Sequence, residues 1–295
     1  MQLQQLIKMT GRAALLIGSS VLVPGCANVQ TVDSGARPAL ASAETQTITD
    51  PLACLDSLAQ RHSTSASGLN PARIRSLSWN LEKGLHSDAL YQLGVLSSGI
   101  DLVVVQEAPL SEQIITQLPN FDYWSFAPGY QAKAGLTGVM TLSRSAPLTH
   151  CVFAVDEPWL GTPKAIGLTE YALRGQSQSL LVINVHAVNF TFTSEALAKQ
   201  LEVFAPFVDA HQGPIVLSGD FNTWSEARLN ELQAFATRHN LTVLEFEVDN
   251  RTRVFGRVLD HVLVRDVEVI DTTTMQVDTS DHNALWAEFR ITERS

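Results

Sequence analysis

The stretch SGDFNTWS, residues 218–225, follows the apolar run PIVL at 214–217. A short apolar run of this kind predicts a buried strand. Because side chains alternate along an extended chain, we expect Asp220 and Asn222 to point to the same side. A carboxylate and a carboxamide aimed together are poor core material, since burying them unpaired is costly. They are suited instead to chemistry on an anionic group held in front of them.

The composition bounds the class of protein. The chain has 295 residues, 45% of them hydrophobic, which is enough for one large core or two small ones and excludes a disordered or fibrous protein. The formal net charge of −10 repels phosphate backbones at long range, so we expect weak unaided affinity for nucleic acid. A divalent cation in a site would offset this locally. The charge therefore argues against a tight DNA binder and not against a metal-dependent phosphodiesterase.

The first 26 residues have the pattern of an export signal. Lys8 and Arg12 precede the apolar stretch at 13–23, which is too short to span a bilayer comfortably. The stretch runs into VPGC, which is typical of a bacterial lipoprotein signal and makes Cys26 the expected lipidated first residue. An ordinary secretory signal and an uncleaved anchor are the alternatives. Because Ala27 and not an aspartate follows, we expect an outer-membrane lipoprotein.

Two further segments follow the signal. Residues 27–71 are rich in alanine, serine and threonine and predict a tether with one short helix within 51–60. Residues 72–295 are the predicted folded domain. Cys54 and Cys151 are the remaining cysteines. Exported proteins often pair their cysteines in disulfides, although a buried free cysteine is also common. The sequence leaves both states open.

Short β-rich runs in the folded domain alternate with a few helical patterns. The helical patterns begin at Ser194 and Ser225, both good N-cap residues. Strands outnumber helices, which predicts an α+β fold with two β-sheets packed face to face and helices outside. The predicted strands are 74–80, 101–107, 138–143, 165–173, 179–188, 214–221, 259–266 and 284–291.

Polar residues recur at the ends of these strands, where loops gather to build sites. Each one alone is more often a turn former or a cap. In chain order they read WN-x-E at 79–82, QE at 106–107, H-x-x-N at 186–189, GDFN at 219–222, LD at 259–260 and SDH at 280–282. The ordered set resembles the endonuclease/exonuclease/phosphatase superfamily, the fold of pancreatic deoxyribonuclease, and GVMTLS and NVHAVNF resemble a bacterial branch of it. The resemblance implies a four-layer α/β/β/α sandwich, in which two mixed β-sheets are flanked by helices.

The resemblance also implies hydrolysis of phosphodiesters. This reaction needs an activated water, a neutralised phosphate charge and a stabilised leaving oxygen. Asp220 would orient or deprotonate the water, and Asn222 would hydrogen-bond the phosphoryl oxygens. Asp260 would fix the tautomer of His282 and stabilise its charged form. His186 would donate to a phosphoryl oxygen or assist the leaving group.

A divalent metal site is implied by the same resemblance. Glu107 is the main ligand candidate, with Asn80 beside it and Asp281 completing an oxygen-rich set. Glu82 matches an acidic position near the metal. Carboxylate and amide oxygens suit Mg²⁺ or Mn²⁺, and the sequence has no zinc-type cluster of histidine and cysteine.

Further phosphate contacts are expected around these motifs. Asn189, from the H-x-x-N motif, would hold a phosphate oxygen. Lys164, Arg253 and Arg257 would contact phosphate, or would be ordinary solvated charges. Trp224 would stack on a substrate base or simply pack.

The superfamily does not choose the substrate. For an exported protein we expect a nuclease acting on DNA or RNA first. A sphingomyelinase-like or other lipid or small-molecule phosphodiesterase ranks second, and a non-catalytic binding protein on the same fold ranks third. We expect a monomer with no protein partner, attached to the membrane by its lipid only.

Overall fold

The computed structural model describes residues 41–42, 45–60, 64–118, 120–133, 135–191 and 193–292. The export signal, Cys26 and the tether up to residue 40 lie outside the described residues and stay predictions. Within the described part of the chain, no helix is long and apolar enough to cross a membrane.

Two large β-sheets form the centre of the molecule. Their strands, with a small hairpin, are β1 (Thr47–Ile48), β2 (Ile74–Asn80), β3 (Leu102–Pro109), β4 (Tyr123–Ala132), β5 (Gly135–Ser143), β6 (Pro147–Asp156), β7 (Pro163–Ala172), β8 (Ser179–His186), β9 (Ile215–Asp220), β10 (Thr242–Val243), β11 (Arg253–Val254), β12 (Arg257–Val258), β13 (Asp260–Arg265), β14 (Glu268–Met275) and β15 (Ala284–Arg290). The first sheet has the order β1-β6-β7-β8-β9-β13-β10, and the second has the order β14-β15-β2-β3-β5-β4. Both sheets mix parallel and antiparallel neighbours.

The helices cover the outer faces of the two sheets. They are α1 (Pro51–Leu58), α2 (Ala89–Leu96), α3 (Glu112–Thr116), α4 (Glu195–Ala210) and α5 (Glu226–Arg238), with a 3₁₀ turn at Glu82–Gly84. The predicted cap at Ser225 forms, since its hydroxyl accepts a hydrogen bond from the Arg228 amide. Ser194 occupies the equivalent place before α4 but its side chain makes no capping bond.

Three apolar layers hold the four structural layers together. Strand β8 shows how, because its side chains alternate: Leu181 and Ile183 pack with the helices, while Leu180 and Val182 pack against the second sheet. A third cluster, built around Val103, lies between the second sheet and α2 and α3. The predicted four-layer α/β/β/α sandwich is therefore confirmed.

The strands that the sequence pattern missed have weaker apolar signals. Strands β4 and β14 are the two edges of the second sheet, and an edge strand has fewer neighbours to demand a buried pattern. In β6, the buried polar residues Thr149 and His150 interrupt the apolar run. The strand predicted at 74–80 coincides with β2.

Part of the segment predicted as a tether is folded against the domain. Strand β1 pairs in parallel with β6, and α1 lies within the predicted helical stretch, capped by Asp50 at 2.8 Å from the Ala53 amide. Cys54 in α1 and Cys151 in β6 form a disulfide with a Cα–Cα distance of 6.1 Å. Composition concealed this because one short helix and one covalent bond, not a long apolar pattern, attach the segment.

We expect the disulfide to stabilise the domain measurably. It joins cysteines 97 residues apart, and removing such a crosslink from a domain costs about 2–4 kcal/mol. The Cys54→Ser/Cys151→Ser double variant should therefore melt roughly 5–15 °C below wild type. Reductant should lower the midpoint of the wild type and leave that of the double variant unchanged. Equal midpoints in all four samples would contradict the expected contribution.

Candidate active site

One polar cavity of about 500 Å³ opens where strands from both sheets end. The carboxyl ends of β2, β8 and β9 meet there, and antiparallel pairing brings the first residue of β13 to the same edge, since Asp260 is the register partner of Asp220. The predicted site residues that line the cavity are Asn80, Glu107, Lys164, His186, Asn189, Asp220, Asn222, Asp281 and His282. Asp260 lies directly behind His282.

The backbone of the GDFN turn differs from the extended chain that the sequence predicted for Asp220 and Asn222. Strand β9 ends at Asp220, and Asn222 has a left-handed φ of 50°. The backbone amide of Asn222 donates to Asp220 Oδ1 at 2.9 Å, and the side-chain nitrogen of Asn222 donates to the Ala187 carbonyl at 3.1 Å. Both side chains reach the cavity through this turn, not through an extended chain. Gly219 before them is required, because its φ is 154° and a Cβ would lie 1.9 Å from the Val185 carbonyl oxygen.

Asp220 is the buried carboxylate at the centre of the site. Its Oδ2 accepts a hydrogen bond from Asn80 Nδ2 at 3.0 Å, which joins the two sheets. The Nε2 atoms of His186 and His282 each lie 3.9 Å from the same oxygen. Burial raises the pKa of Asp220, and the positive charge of His282 opposes that rise. The group is thereby suited to accept a proton.

His282 and Asp260 form the buried pair that the sequence predicted. Asp260 Oδ2 accepts a hydrogen bond from His282 Nδ1 at 2.8 Å. Burial opposes the charged imidazole, but Asp260 and Asp220 outweigh it and raise the pKa of His282 to about 10. The backbone of His282 is held by Trp79, whose indole donates to its carbonyl at 2.7 Å. Trp79 is otherwise a core residue, 1% exposed.

His186 has the opposite electrostatic environment. Burial and the adjacent Lys164 lower the pKa of His186 well below its usual value, so the imidazole is neutral. Lys164 Nζ lies 3.0 Å from His186 Nε2, so this nitrogen accepts from the lysine. The sequence interpretation had His186 donating to a phosphoryl oxygen or assisting the leaving group. In the structure, the positively charged donor next to His186 is Lys164. Lys164 is 6% exposed and lines the cavity.

The oxygen-rich set around Glu107 fits a hard divalent cation. Lys83 Nζ donates to Glu107 Oε2, and His186 Nε2 lies 3.6 Å from Oε1. Asn80 Oδ1 accepts from the Glu82 amide at 3.0 Å. These oxygens line one cavity together with Asp281, and carboxylate and amide oxygens are the ligands that Mg²⁺ and Mn²⁺ prefer.

A second group of ligand atoms competes with this assignment. One atom each of Asp220, Asp260 and His282 lies within 4.8 Å of the others. His282 Nδ1, however, donates a hydrogen bond to Asp260 Oδ2. A nitrogen that carries a hydrogen offers no lone pair to a metal. The Glu107 side of the cavity therefore stays the predicted metal position.

Backbone strain is concentrated in this cavity. Seven non-glycine residues in the described part of the chain have positive φ, and four of them line the cavity: Glu82, Lys83, Glu107 and Asn222. Left-handed backbone costs such residues roughly 1–2 kcal/mol each. The surrounding fold therefore holds these side chains in positions that the local chain does not prefer.

Four site residues escaped the sequence interpretation. Lys83 bonds Glu107, and Tyr130 lies beside both in the cavity, with a pKa raised by burial and by Glu107. Glu157 is buried but lines the cavity, and Arg228 is buried outside the set of lining residues. Lys83 alone had a signal, because it directly follows the WN-x-E motif. The others lie in stretches with no pattern that marks a site.

Two predicted phosphate contacts do not reach the cavity. Among the described lining residues, neither Arg253 nor Arg257 is found. Arg253 pairs with Asp249 at 2.8 Å, and Arg257 pairs with Glu226 at 3.1 Å. The positions of β11 and β12 in a separate hairpin direct these guanidinium groups toward neighbouring acids. The alternative of ordinary solvated charges describes them better.

The comparisons with known proteins agree with this fold. The chain belongs to the endonuclease/exonuclease/phosphatase family, whose model matches residues 77–282. It is similar to a UPF0294 protein of Yersinia pseudotuberculosis, with 34% identity over 218 residues that make up 74% of this chain and 84% of the relative. The family is one of hydrolytic enzymes that includes nucleases and phosphatases, and its members typically depend on a divalent metal.

Solved structures share the architecture at low sequence identity. An endonuclease/exonuclease/phosphatase from Beutenbergia cavernae superposes with a TM-score of 0.63 at 18% identity, over 75% of this chain and 72% of that one. The catalytic domain of human Nocturnin, with a bound sulfate anion, has a TM-score of 0.60 at 17% identity, over 77% and 97%. These likenesses establish the fold alone.

The His282–Asp260 geometry generates a test of whether the two residues act as one unit. Asp260→Asn removes the carboxylate that orients and charges the imidazole, so it should resemble His282→Ala. Each should lower turnover of a chromogenic phosphodiester by about 10² or more, with thermal midpoints within a few degrees of wild type. The double variant should be little worse than either single variant. Losses that multiply, or that follow the loss of folded protein, would show independent or structural roles.

Proposed function

We propose that this chain is a Mg²⁺- or Mn²⁺-dependent phosphodiesterase whose substrate is nucleic acid. The observation that carries the proposal is the position of Asp220. It is hydrogen-bonded to Asn80 on the side of the expected metal position and lies 3.9 Å from the His282 imidazole on the other side. A base, a positive donor and a metal-ligand set around one polar cavity are the groups that phosphodiester hydrolysis requires.

The proposed roles follow from charge and donor geometry. Asp220, with its raised pKa, would accept the proton of the attacking water. The charged His282 and Lys164 would stabilise negative phosphoryl oxygens in a buried setting. Asn189 Oδ1 accepts from the Trp224 indole at 3.0 Å, which leaves its NH₂ group to donate to substrate. A cation bound by Glu107 with Asn80 and Asp281 would supply positive charge that neutralises the phosphate.

Nucleic acid is favoured by an aromatic pair beside the phosphate position. The rings of Trp224 and Phe255 lie 6.3 Å apart in an edge-to-face arrangement, and Trp224 contacts Asn189 in the cavity. Phe255 is 82% exposed. An exposed aromatic side chain next to a phosphate site is suited to stacking on a base.

A lipid phosphodiester is the second candidate, and one observation favours it. Leu160, Phe190 and Val254 line the cavity and are exposed at 57%, 56% and 37%. An apolar rim suits acyl chains, and the nearby Arg253 and Arg257 are already paired with acids. Turnover of sphingomyelin or another phospholipid in preference to nucleic acid would select this candidate. Binding without turnover of any phosphodiester would select a non-catalytic member of the fold.

The cellular location is a separate proposal that rests on the sequence. We propose that the chain is exported and anchored in the outer membrane through a lipidated Cys26. The VPGC sequence after a short apolar stretch supports this. An exported location is also compatible with the disulfide between Cys54 and Cys151.

Activity should depend on metal through Glu107. Chelator should abolish hydrolysis and Mg²⁺ or Mn²⁺ should restore it. Glu107→Gln should lower turnover by about 10² or more and raise the metal concentration needed, because one anionic ligand is lost. Glu112→Gln, which changes an exposed acid at the start of α3, is the matched control and should behave as wild type. Full activity in excess chelator would refute the metal requirement.

A panel of substrates decides between the candidates. Purified protein would be assayed on plasmid DNA, single-stranded DNA, RNA, sphingomyelin vesicles and a chromogenic phosphodiester. We expect the largest kcat/KM on a nucleic acid. Phe255→Ala should lower that value while leaving the chromogenic ester, which is too small to reach the hairpin tip, unaffected. A preference for sphingomyelin would instead support the lipid candidate.

The lipid anchor is tested by labelling cells with a fatty-acid analogue. The wild type should carry the label and fractionate with membranes, because full lipoprotein modification provides more than one acyl chain. Cys26→Ser should lose both the label and the membrane association. A soluble, unlabelled wild-type protein would refute the lipoprotein assignment.

A further inference from the structure

A buried arginine joins the two loops that carry Asn189 and Asn222, the amide side chains that line the cavity. Arg228 lies in the first turns of α5 and is 1% exposed. Its Nε donates to the Asn222 carbonyl at 2.6 Å, in the loop after β9. One terminal nitrogen donates to the Val188 carbonyl and the other to Thr191 Oγ1 at 2.9 Å, both in the loop after β8. One rigid guanidinium thus fixes the separation of the two loops.

A buried glutamate holds the loop after β8 from its other side. Glu157, between β6 and β7, is 2% exposed. Its Oε1 accepts from the amides of Asn189 and Phe190 at 2.6 and 2.8 Å, and its Oε2 accepts from the Thr162 hydroxyl at 3.0 Å. Arg228 therefore holds residues 188–191 through a carbonyl and a hydroxyl group. Glu157 holds the same residues through two backbone amides.

The same arginine also constrains the side chain of Asn189 indirectly. Its guanidinium carbon lies 5.7 Å from the centre of the Trp224 ring, within the range of a cation–π contact. The Trp224 indole donates to Asn189 Oδ1 at 3.0 Å. With its oxygen bonded to the indole and its backbone bonded to Glu157, Asn189 is left with its NH₂ group facing the cavity that it lines.

A structural role alone does not require two buried charged side chains. Burying an arginine and a glutamate carries a desolvation cost that their hydrogen bonds must compensate, and an apolar residue of similar volume would fill the same space. Burial lowers the pKa of Arg228 to about 10, with Asp220 and Glu157 opposing the fall, so the side chain remains a cation at neutral pH. Its specific contribution is directional, since it aims three donors at three acceptors in two loops.

We propose that Arg228 and Glu157 are positioning residues that fix the loops after β8 and β9, so that Asn189 and Asn222 meet the phosphoryl oxygens together. The catalytic consequence rests on the proposed phosphodiesterase function. The fixing of the loops does not, and hydrogen exchange can measure it without any substrate.

The test compares graded variants by hydrogen-exchange mass spectrometry and steady-state kinetics. Arg228→Lys keeps the charge but cannot reach all three acceptors, so exchange should accelerate about 10-fold or more in 187–191 and 221–224 and stay unchanged elsewhere. Its kcat on the best phosphodiester should fall about 10-fold to 100-fold, more than its KM rises, as expected for misplaced groups. Arg238→Lys is the matched control in the same helix, because Arg238 is exposed and, within the described part of the chain, its ion pair is with Glu202.

Variants of Glu157 test the second half of the arrangement. Glu157→Gln retains an oxygen for both amides and an NH₂ group that can donate to Thr162, so it should lose less activity than Glu157→Ala and should exchange more slowly at 187–191. Thr191→Val removes one of the three contacts of Arg228, together with the bond from the Thr191 hydroxyl to the Thr193 carbonyl. It should accelerate exchange at 187–191 even if larger changes at Arg228 prevent folding.

Two results would overturn the proposal. One is wild-type exchange in both loops together with wild-type kcat in Arg228→Lys. The other is exchange that accelerates across the whole chain in step with activity loss, which would make these ordinary stability residues. If the wild type hydrolyses no phosphodiester, the proposed function fails, and the exchange rates of the two loops still decide whether Arg228 and Glu157 fix them.

Discussion

The hydrogen bond from Asn80 Nδ2 to Asp220 Oδ2, at 3.0 Å, is the contact on which the site depends. Asn80 ends a strand of one sheet and Asp220 ends a strand of the other. A buried carboxylate needs such partners because its desolvation is otherwise too costly. The two sheets must therefore meet at this edge in one register, and every other polar group in the cavity is positioned relative to that register.

The charged residues around Asp220 are also paired so that buried charges compensate one another. The acids Asp220 and Asp260 surround a charged His282, and Lys164 lies against the neutral His186. Arg228 and Glu157 hold the loops next to these residues. Groups fixed in this way need little reorganisation when negative charge develops on a substrate, which is the main source of electrostatic catalysis. Residues with left-handed backbone in the same cavity show that the fold, not the local chain, sets these positions.

The N-terminal segment shows how composition can mislead about what belongs to a domain. Its small polar residues predicted a tether, yet β1 extends the first sheet and Cys54 is bonded to Cys151. A disulfide and a two-residue strand pairing need almost no apolar residues, so the apolar periodicity of the sequence could not predict them. The disulfide itself was one of two states that the sequence left open, because spacing along the chain does not determine distance in space.

The sequence by itself determined the sandwich, its main strands, the family and the identity of the groups at the strand ends, since period-two alternation and motifs such as GDFN and SDH are local properties. Only the tertiary structure decided which charges face the cavity. It brought Lys164 to His186 and kept Arg253 and Arg257 on a separate hairpin, although the sequence treated all three alike. It also assigned Arg228, which reads as an ordinary helix residue, to the space between two loops. These outcomes depend on contacts between residues far apart in the chain, and a local pattern carries no information about such contacts.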